Sequence, residues 1–227
     1  MKKLIAVMTL ALLPLTGMAA GGPKVELQQA NIDLNNHAAI QRGAKLYVNY
    51  CQGCHATQYI RYQLFKEVGL SEDDIKENLM FADGKVGDLM TIAMPGGDAG
   101  KWFGAPAPDL TLTARIKSGG ADWLYSYLKG FYTDPSRPMG VNNTVFPNVG
   151  MPHVLWELQG FQTAVFSEHT EDGVTTQVFE HFEQLTPGSL DAEEYDDFVR
   201  DTVNFLVYIA EPIRGERRVI GTWVMIY

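Results

Sequence analysis

The chain has 227 residues, 46% of them hydrophobic and 20% charged, an ordinary globular balance that excludes a disordered tail or a fibrous repeat. Eighteen Lys and Arg against 27 Asp and Glu give a net charge of −9, the wrong sign for a protein that works by neutralising phosphates, so nucleic acid is not an expected partner. Two cysteines are too few for a disulfide-stapled scaffold or a four-cysteine zinc or iron–sulfur site, and whatever they do they do as one pair.

Residues 1–19 read as an export signal. Lys2 and Lys3 make a charged start, Leu4 to Leu15 an apolar stretch and Gly17-Met18-Ala19 a small-x-small cleavage site, so the mature chain is expected to begin at Ala20. The apolar stretch is about 12 residues long and broken by Pro14, short of the roughly 20 that a spanning helix needs. Loss of Lys2 and Lys3 makes an acidic chain more acidic still.

A helix over Ala38 to Asn49 leads straight into Cys51-Gln52-Gly53-Cys54-His55. This spacing puts two thiols one helical turn apart, where they can add to the two vinyl groups of one haem, while the next residue offers an imidazole to the iron. The competing readings are a CxxC disulfide and half a zinc site. The first wants a strand on one side and a helix on the other, and the second wants another ligand pair; the sequence supplies neither. The stretch that follows is rich in Gly and Pro, from Pro95-Gly96-Gly97 through Pro106-Ala107-Pro108 to Pro152, which argues for long loops wrapped around something. A buried porphyrin supplies the apolar surface such loops lack.

Within and after those loops, Ala121 to Phe131 carries Trp123, Leu124, Tyr127, Leu128 and Phe131 at three- and four-residue spacing, one apolar helix face. A second axial ligand has to come from His37, His153, His169, His181 or a methionine. Met80, Met90 and Met139 read equally well as core fillers. Met94-Pro95 and Met151-Pro152 stand out, each in a loop whose backbone is fixed by a neighbouring Gly and Pro. Phe161 to Phe182, which holds His169 and His181, reads as a hairpin and a surface appendage: Thr163–Phe166 and Val174–Phe179 are β-prone, with a turn at Glu171-Asp172-Gly173. A long helix follows from Asp191 to Ala210, with acids in its first turns, an apolar stripe through Phe198, Val199, Val203, Leu206 and Val207, and Pro212 to stop it. Arg214, Arg217 and Arg218 precede the uncharged run Val219 to Tyr227, which is either packed on the core or the first turns of a membrane helix. The acid runs Glu72-Asp73-Asp74 and Asp191 to Asp197 are either solvated helix starts or a surface that draws in a basic electron acceptor.

Four segments in this order resemble the cytochrome c1 family in its bacterial form, the haem subunit of the quinol:cytochrome c oxidoreductase or cytochrome bc1 complex. They are Gly43, Tyr47 and Cys51 to His55; Pro108-Asp109-Leu110 followed by Arg115; Asn142-Asn143 with Phe146 to Pro152; and Phe205-Leu206 with Ala210-Glu211-Pro212 and then Arg217-Arg218. The fold expected is mainly α, a class I cytochrome c-like haem domain over residues 20–213 with long loops, a small β-hairpin insertion and a truncated C-terminal membrane anchor starting in 214–227. The resemblance implies one covalent haem c held through Cys51 and Cys54, with His55 and Met151 as axial ligands and Met94 as runner-up. It also implies propionate contacts from Arg115, Lys117 and Trp123, Lys117 standing where relatives often have Arg. The function implied is electron transfer from a Rieske iron–sulfur protein to a soluble or membrane-held cytochrome c. The domain would sit beside cytochrome b on the periplasmic side of a bacterial inner membrane and be catalytic only as part of the complex. The alternatives are a stand-alone periplasmic carrier and a haem peroxidase or gas sensor.

Overall fold

The computed structural model describes residues 25–171 and 174–227; the expected export signal lies outside them. The elements run α1 (His37–Tyr50), β1 (Thr57–Arg61), a 3₁₀ helix (Tyr62–Val68), α2 (Glu72–Leu79), β2 (Leu89–Met90), α3 (Gly96–Phe103), α4 (Thr113–Ile116), α5 (Gly120–Lys129), β3 (Phe131–Thr133), β4 (Val141–Asn143), α6 (Trp156–Gln159), β5 (Gly160–Glu171), β6 (Val174–Pro187), α7 (Ala192–Ala210) and α8 (Arg214–Ile226). The strands pair into three separate antiparallel two-stranded ribbons, β1–β2, β3–β4 and β5–β6. Helices therefore build the core, and ribbons pin the loops between them.

The core forms where α1 crosses α7. In α1, Ala39, Ile40, Gly43, Ala44, Tyr47 and Val48 make one buried stripe at helical spacing, and the Asn36 side chain caps the start by accepting from the Ala39 N–H. In α7, Asp191 and Glu194 close a capping box, and Val199, Val203, Phe205 and Leu206 are buried. The Tyr47 and Phe205 rings meet at 4.9 Å and Phe65 joins them at 5.8 Å. Gly43 is the residue that lets the helices touch, because a Cβ there would stand 1.9 Å from the Asp201 carbonyl oxygen. Beside it Arg42 pairs with the Asp201 carboxylate at 2.5 Å. Packed against the same long helix, α5 receives a hydrogen bond on its Leu128 carbonyl from the Tyr195 hydroxyl, 3.1 Å away.

Local contacts absorb much of the acid runs. Glu72 lies 3.0 Å from both Lys66 and Lys76, and Asp74 closes a capping box with Ser71. Asp196 meets Lys129 at 2.5 Å, and Asp197 pairs with Arg200. These contacts favour the helix-start reading of both runs.

Two boundaries differ from expectation. α5 stops at Lys129, and Phe131 is the buried first residue of β3 rather than part of the helix face, since Gly130 ends the helix there. The hairpin is larger than a small insertion, with strands of 12 and 14 residues, and Asp172 and Gly173 of its expected turn lie outside the described residues. At its base Gln162 donates to the Phe131 and Lys129 carbonyls at 2.8 and 3.1 Å, so it is docked at one end and exposed toward the other. Of the two readings of the C-terminal run, the segment packed on the core is not what is seen: the run is helical and no residue of α8 is buried. No helix among the described residues is long and apolar enough to cross a membrane.

Shortening the hairpin tests its appendage character. Ser167 pairs with Val178, and joining the two through an Asn-Gly turn removes only the outer strands. Thermal unfolding is expected to move by no more than about 2–4 °C, the equivalent of about 1 kcal/mol in a domain this size. A larger fall would mean that the outer strands carry part of the core.

Candidate functional site

Cys51 caps the C-terminus of α1, its N–H bonded to the Tyr47 carbonyl at 2.8 Å. The chain then turns tightly, with the Cys54 and His55 N–H groups both donating to the Cys51 carbonyl at 3.1 and 2.9 Å, so two thiols and an imidazole share one turn. Both cysteines are free. Burial, with a smaller push from Cys54, raises the Cys51 thiol to about 12. A helix C-terminus also disfavours a thiolate, the reverse of the helix N-terminal setting that activates redox CxxC pairs. Among the described residues no three His, Cys, Asp or Glu side chains converge as a metal-ion site would require.

His55 is buried, and its Nδ1 lies 2.8 Å from the Pro108 carbonyl oxygen. With Nδ1–H assigned as the donor, Nε2 is left for a metal. Desolvation lowers the His55 pKa against the opposing pull of the Pro108 carbonyl and Asp109, which favours the neutral, ligating imidazole. Pro108 is itself fixed: Leu110 N–H bonds the Ala56 carbonyl at 2.9 Å, and Asp109 accepts from the Gln58 and Thr111 N–H groups at 2.8 and 2.9 Å. The Tyr47 hydroxyl donates to the His55 carbonyl at 2.5 Å. The sequence segment from Pro108 to Leu110 is thus the clip that aims the histidine.

Two asparagines organise the loop of Met151. Asn142 accepts from the Asn143 and Asn148 N–H groups, and Asn143 accepts from those of Val145 and Phe146. The Asn143 amide also donates to the Tyr127 carbonyl at 2.8 Å, tying the loop to α5. Met151 is half-buried against Phe131, Val141 and Val149, and its Sδ accepts a hydrogen bond from the Tyr127 hydroxyl at 3.3 Å. Tyr127 stacks on Trp123 at 5.0 Å, and the Lys117 ammonium lies 4.7 Å from the Trp123 ring centre and 5.2 Å from that of Phe146. Lys117, Trp123 and Met151 therefore stand in one file, joined through Tyr127.

Arg115 goes elsewhere. Its guanidinium lies 3.7 Å from Glu211, which Arg217 also clasps, so it faces the junction between α7 and α8 instead of that file. Met94 sits half-buried in the loop before α3, with no hydrogen bond to its sulfur among the described residues.

A sequence profile described as the Cytochrome C1 family matches residues 28–227. The chain belongs to the cytochrome c1 family. It is 49% identical to cytochrome c1 of Allochromatium vinosum over all of this chain and 92% of that protein. It is 43% identical to a Nitrosomonas europaea protein named ammonia monooxygenase gamma subunit, over 92% of this chain and 83% of that protein. A mitochondrial cytochrome c1 haem protein of Schizosaccharomyces pombe is 28% identical over 84% of this chain and 61% of its own length. Family membership implies a haem cofactor, and the residues fit one: free paired thiols, a neutral imidazole held by its far nitrogen, and a thioether in an ordered loop.

One participant escaped the sequence reading. Tyr127 passed as one of several apolar residues on a helix, although a hydroxyl on that face is a signal in itself, since a buried phenol needs a partner. His153, one of the candidate ligands, is buried and stacked on Phe131 at 4.9 Å with neither ring nitrogen hydrogen-bonded among the described residues, and desolvation drives it down to about 4, so it is an uncharged part of the loop packing.

Proposed function

We propose that this chain is the haem-bearing electron-transfer subunit of a quinol:cytochrome c oxidoreductase of the bc1 type. In this reading it receives electrons from a Rieske iron–sulfur protein and passes them to a cytochrome c. Residues 20–213 lie on the periplasmic side of a bacterial inner membrane beside cytochrome b, and residues 214–227 form the juxtamembrane segment and the start of a membrane helix. The observation that carries the reading is the His55 ring, clipped by the Pro108 carbonyl immediately after a pair of free thiols.

A haem c bound there supplies a one-electron couple. Cys51 and Cys54 would hold it through thioethers, His55 Nε2 and Met151 Sδ would be its donors to iron, and a thioether donor would raise its potential toward that of a Rieske centre. Lys117, placed over Trp123 and Phe146, would be the cation for the haem propionates. Arg115 serves through Glu211, holding the end of α7 to the start of α8. No side chain needs to act as acid or base, because only an electron moves.

Membranes of a strain lacking this chain are expected to lose quinol-dependent cytochrome c reduction and to regain it with the wild-type gene. Undiminished activity in the deletion strain would overturn the proposal. The name of the Nitrosomonas relative supports a second reading, a subunit of an ammonia-oxidising enzyme, under which the deletion spares quinol oxidation. With a basic cytochrome c as acceptor, the rate should fall as ionic strength rises, since the Debye length shrinks from about 30 Å at 0.01 M to about 10 Å at 0.1 M. A rate flat with salt assigns the acids to helix capping and solubility alone.

A further inference from the structure

The hydroxyl of Tyr127 has one hydrogen-bond acceptor among the described residues, the Met151 sulfur at 3.3 Å. A thioether sulfur is a weak acceptor with two lone pairs, and a phenol that takes one leaves the other for a metal. Such a contact is not incidental to packing here. The Tyr127 ring is fixed by stacking on Trp123 at an interplanar angle of 11° and by an edge contact with Phe131 at 5.3 Å. Its backbone carbonyl is held by Asn143, the residue that also orders the start of the Met151 loop. Donor and acceptor thus belong to one frame, and neither can drift without the other.

We infer that Tyr127 is a positioning residue for Met151, which aims one sulfur lone pair away from α5 and withdraws electron density from the other. The inference rests on the proposed role of Met151 as axial ligand. A hydrogen bond donated to the sulfur makes it a poorer donor, and the loss is felt more by ferric than by ferrous iron, so the contact raises the reduction potential. Tyr127→Phe keeps the ring, its stacking and its volume and removes only the hydroxyl.

The test measures, on the purified holoprotein, the reduction potential and the affinity of the ferric form for imidazole, which competes with methionine for iron. In Tyr127→Phe the equilibrium against a reference couple is expected to shift about threefold toward the oxidised form, about 28 mV at 59 mV per tenfold for one electron. Imidazole should bind about threefold more weakly, because the ferric iron–sulfur bond is strengthened. A tyrosine that merely packed would do the opposite on removal of its contact, loosening the methionine and letting imidazole bind more tightly. Unchanged potential, or tighter imidazole binding, overturns the inference. Met151→Leu run in parallel separates the two layers. If it abolishes the far-red charge-transfer band of sulfur-ligated ferric haem while Tyr127→Phe shifts neither quantity, the ligand assignment stands and the tyrosine role falls. If Met151→Leu keeps the band, both fall.

Discussion

Met151→Leu is expected to leave the haem covalently attached while removing the weak far-red charge-transfer band of ferric haem with sulfur bound. In the proposed reading attachment depends on Cys51 and Cys54, which sit in the turn after α1, far along the chain from the substituted residue. Leucine has nearly the volume of methionine and keeps the contacts with Phe131, Val141 and Val149, so the packing cost should stay below about 1.5 kcal/mol, with about 1–3 kcal/mol more for the Tyr127 hydroxyl left without its acceptor. What it removes is the sulfur. The potential is then expected to fall by more than about 59 mV, a tenfold or larger shift of the one-electron equilibrium, and quinol-driven cytochrome c reduction should fall at least about tenfold with it. Met94→Leu is the matched control and should leave the band in place. The reverse pattern, with the band lost only in Met94→Leu, would move the ligand to the loop before α3.

Gly43→Ala is expected to be the most damaging single-methyl addition in the chain's core. The new Cβ would sit 1.9 Å from the Asp201 carbonyl oxygen and 2.8 Å from the Phe205 Cβ. No rotamer change relieves a clash with backbone, so α1 and α7 must move apart, breaking the contacts of Tyr47 and Phe65 with Phe205. Overpacking of this kind costs about 3 kcal/mol or more, and the melting temperature should drop by about 2–4 °C for each kcal/mol. The effect should reach the site, because Cys51 caps the displaced helix and Tyr47 holds the His55 carbonyl; the yield of covalently attached haem is expected to fall several-fold. Gly100→Ala, where an added Cβ meets nothing within 4 Å, is the control that should fold normally. A Gly43→Ala chain of unaltered melting temperature would show that the two helices do not cross as closely as described.

What was legible in the sequence was local. The CxxCH spacing needs no tertiary information, since both thiols and the imidazole are placed by a single turn of backbone. The same holds for α1, α5 and α7, whose apolar residues recur at helical spacing and whose starts in two cases carry side-chain caps. The structure added most where a local pattern continued past a break or served two purposes. Phe131 kept the helical spacing but followed Gly130, and paired instead with Asn143 as a strand residue. The acid runs read either as helix starts or as an attracting surface, and several of their carboxylates close capping boxes or meet lysines brought from elsewhere, as Asp196 does with Lys129. Arg115 stands in the segment that the resemblance gives to a propionate, and its guanidinium lies 3.7 Å from Glu211 at the far end of α7, a contact the local sequence does not show.

By itself, then, the sequence determined the chemistry on offer: one pair of thiols, the imidazole after them, two methionines in stiff loops, and helices long enough to make a core. The tertiary structure alone decided which of these meet. The clip on His55 is Pro108, 53 residues away, and the hydrogen bond on the Met151 sulfur comes from Tyr127, 24 residues back on a different element. Spacing and periodicity report contacts within a turn or two of chain, whereas these two depend on how α1, α5 and α7 pack. That packing is set by side-chain volumes and by the bare backbone at Gly43, which no residue pattern along one segment encodes.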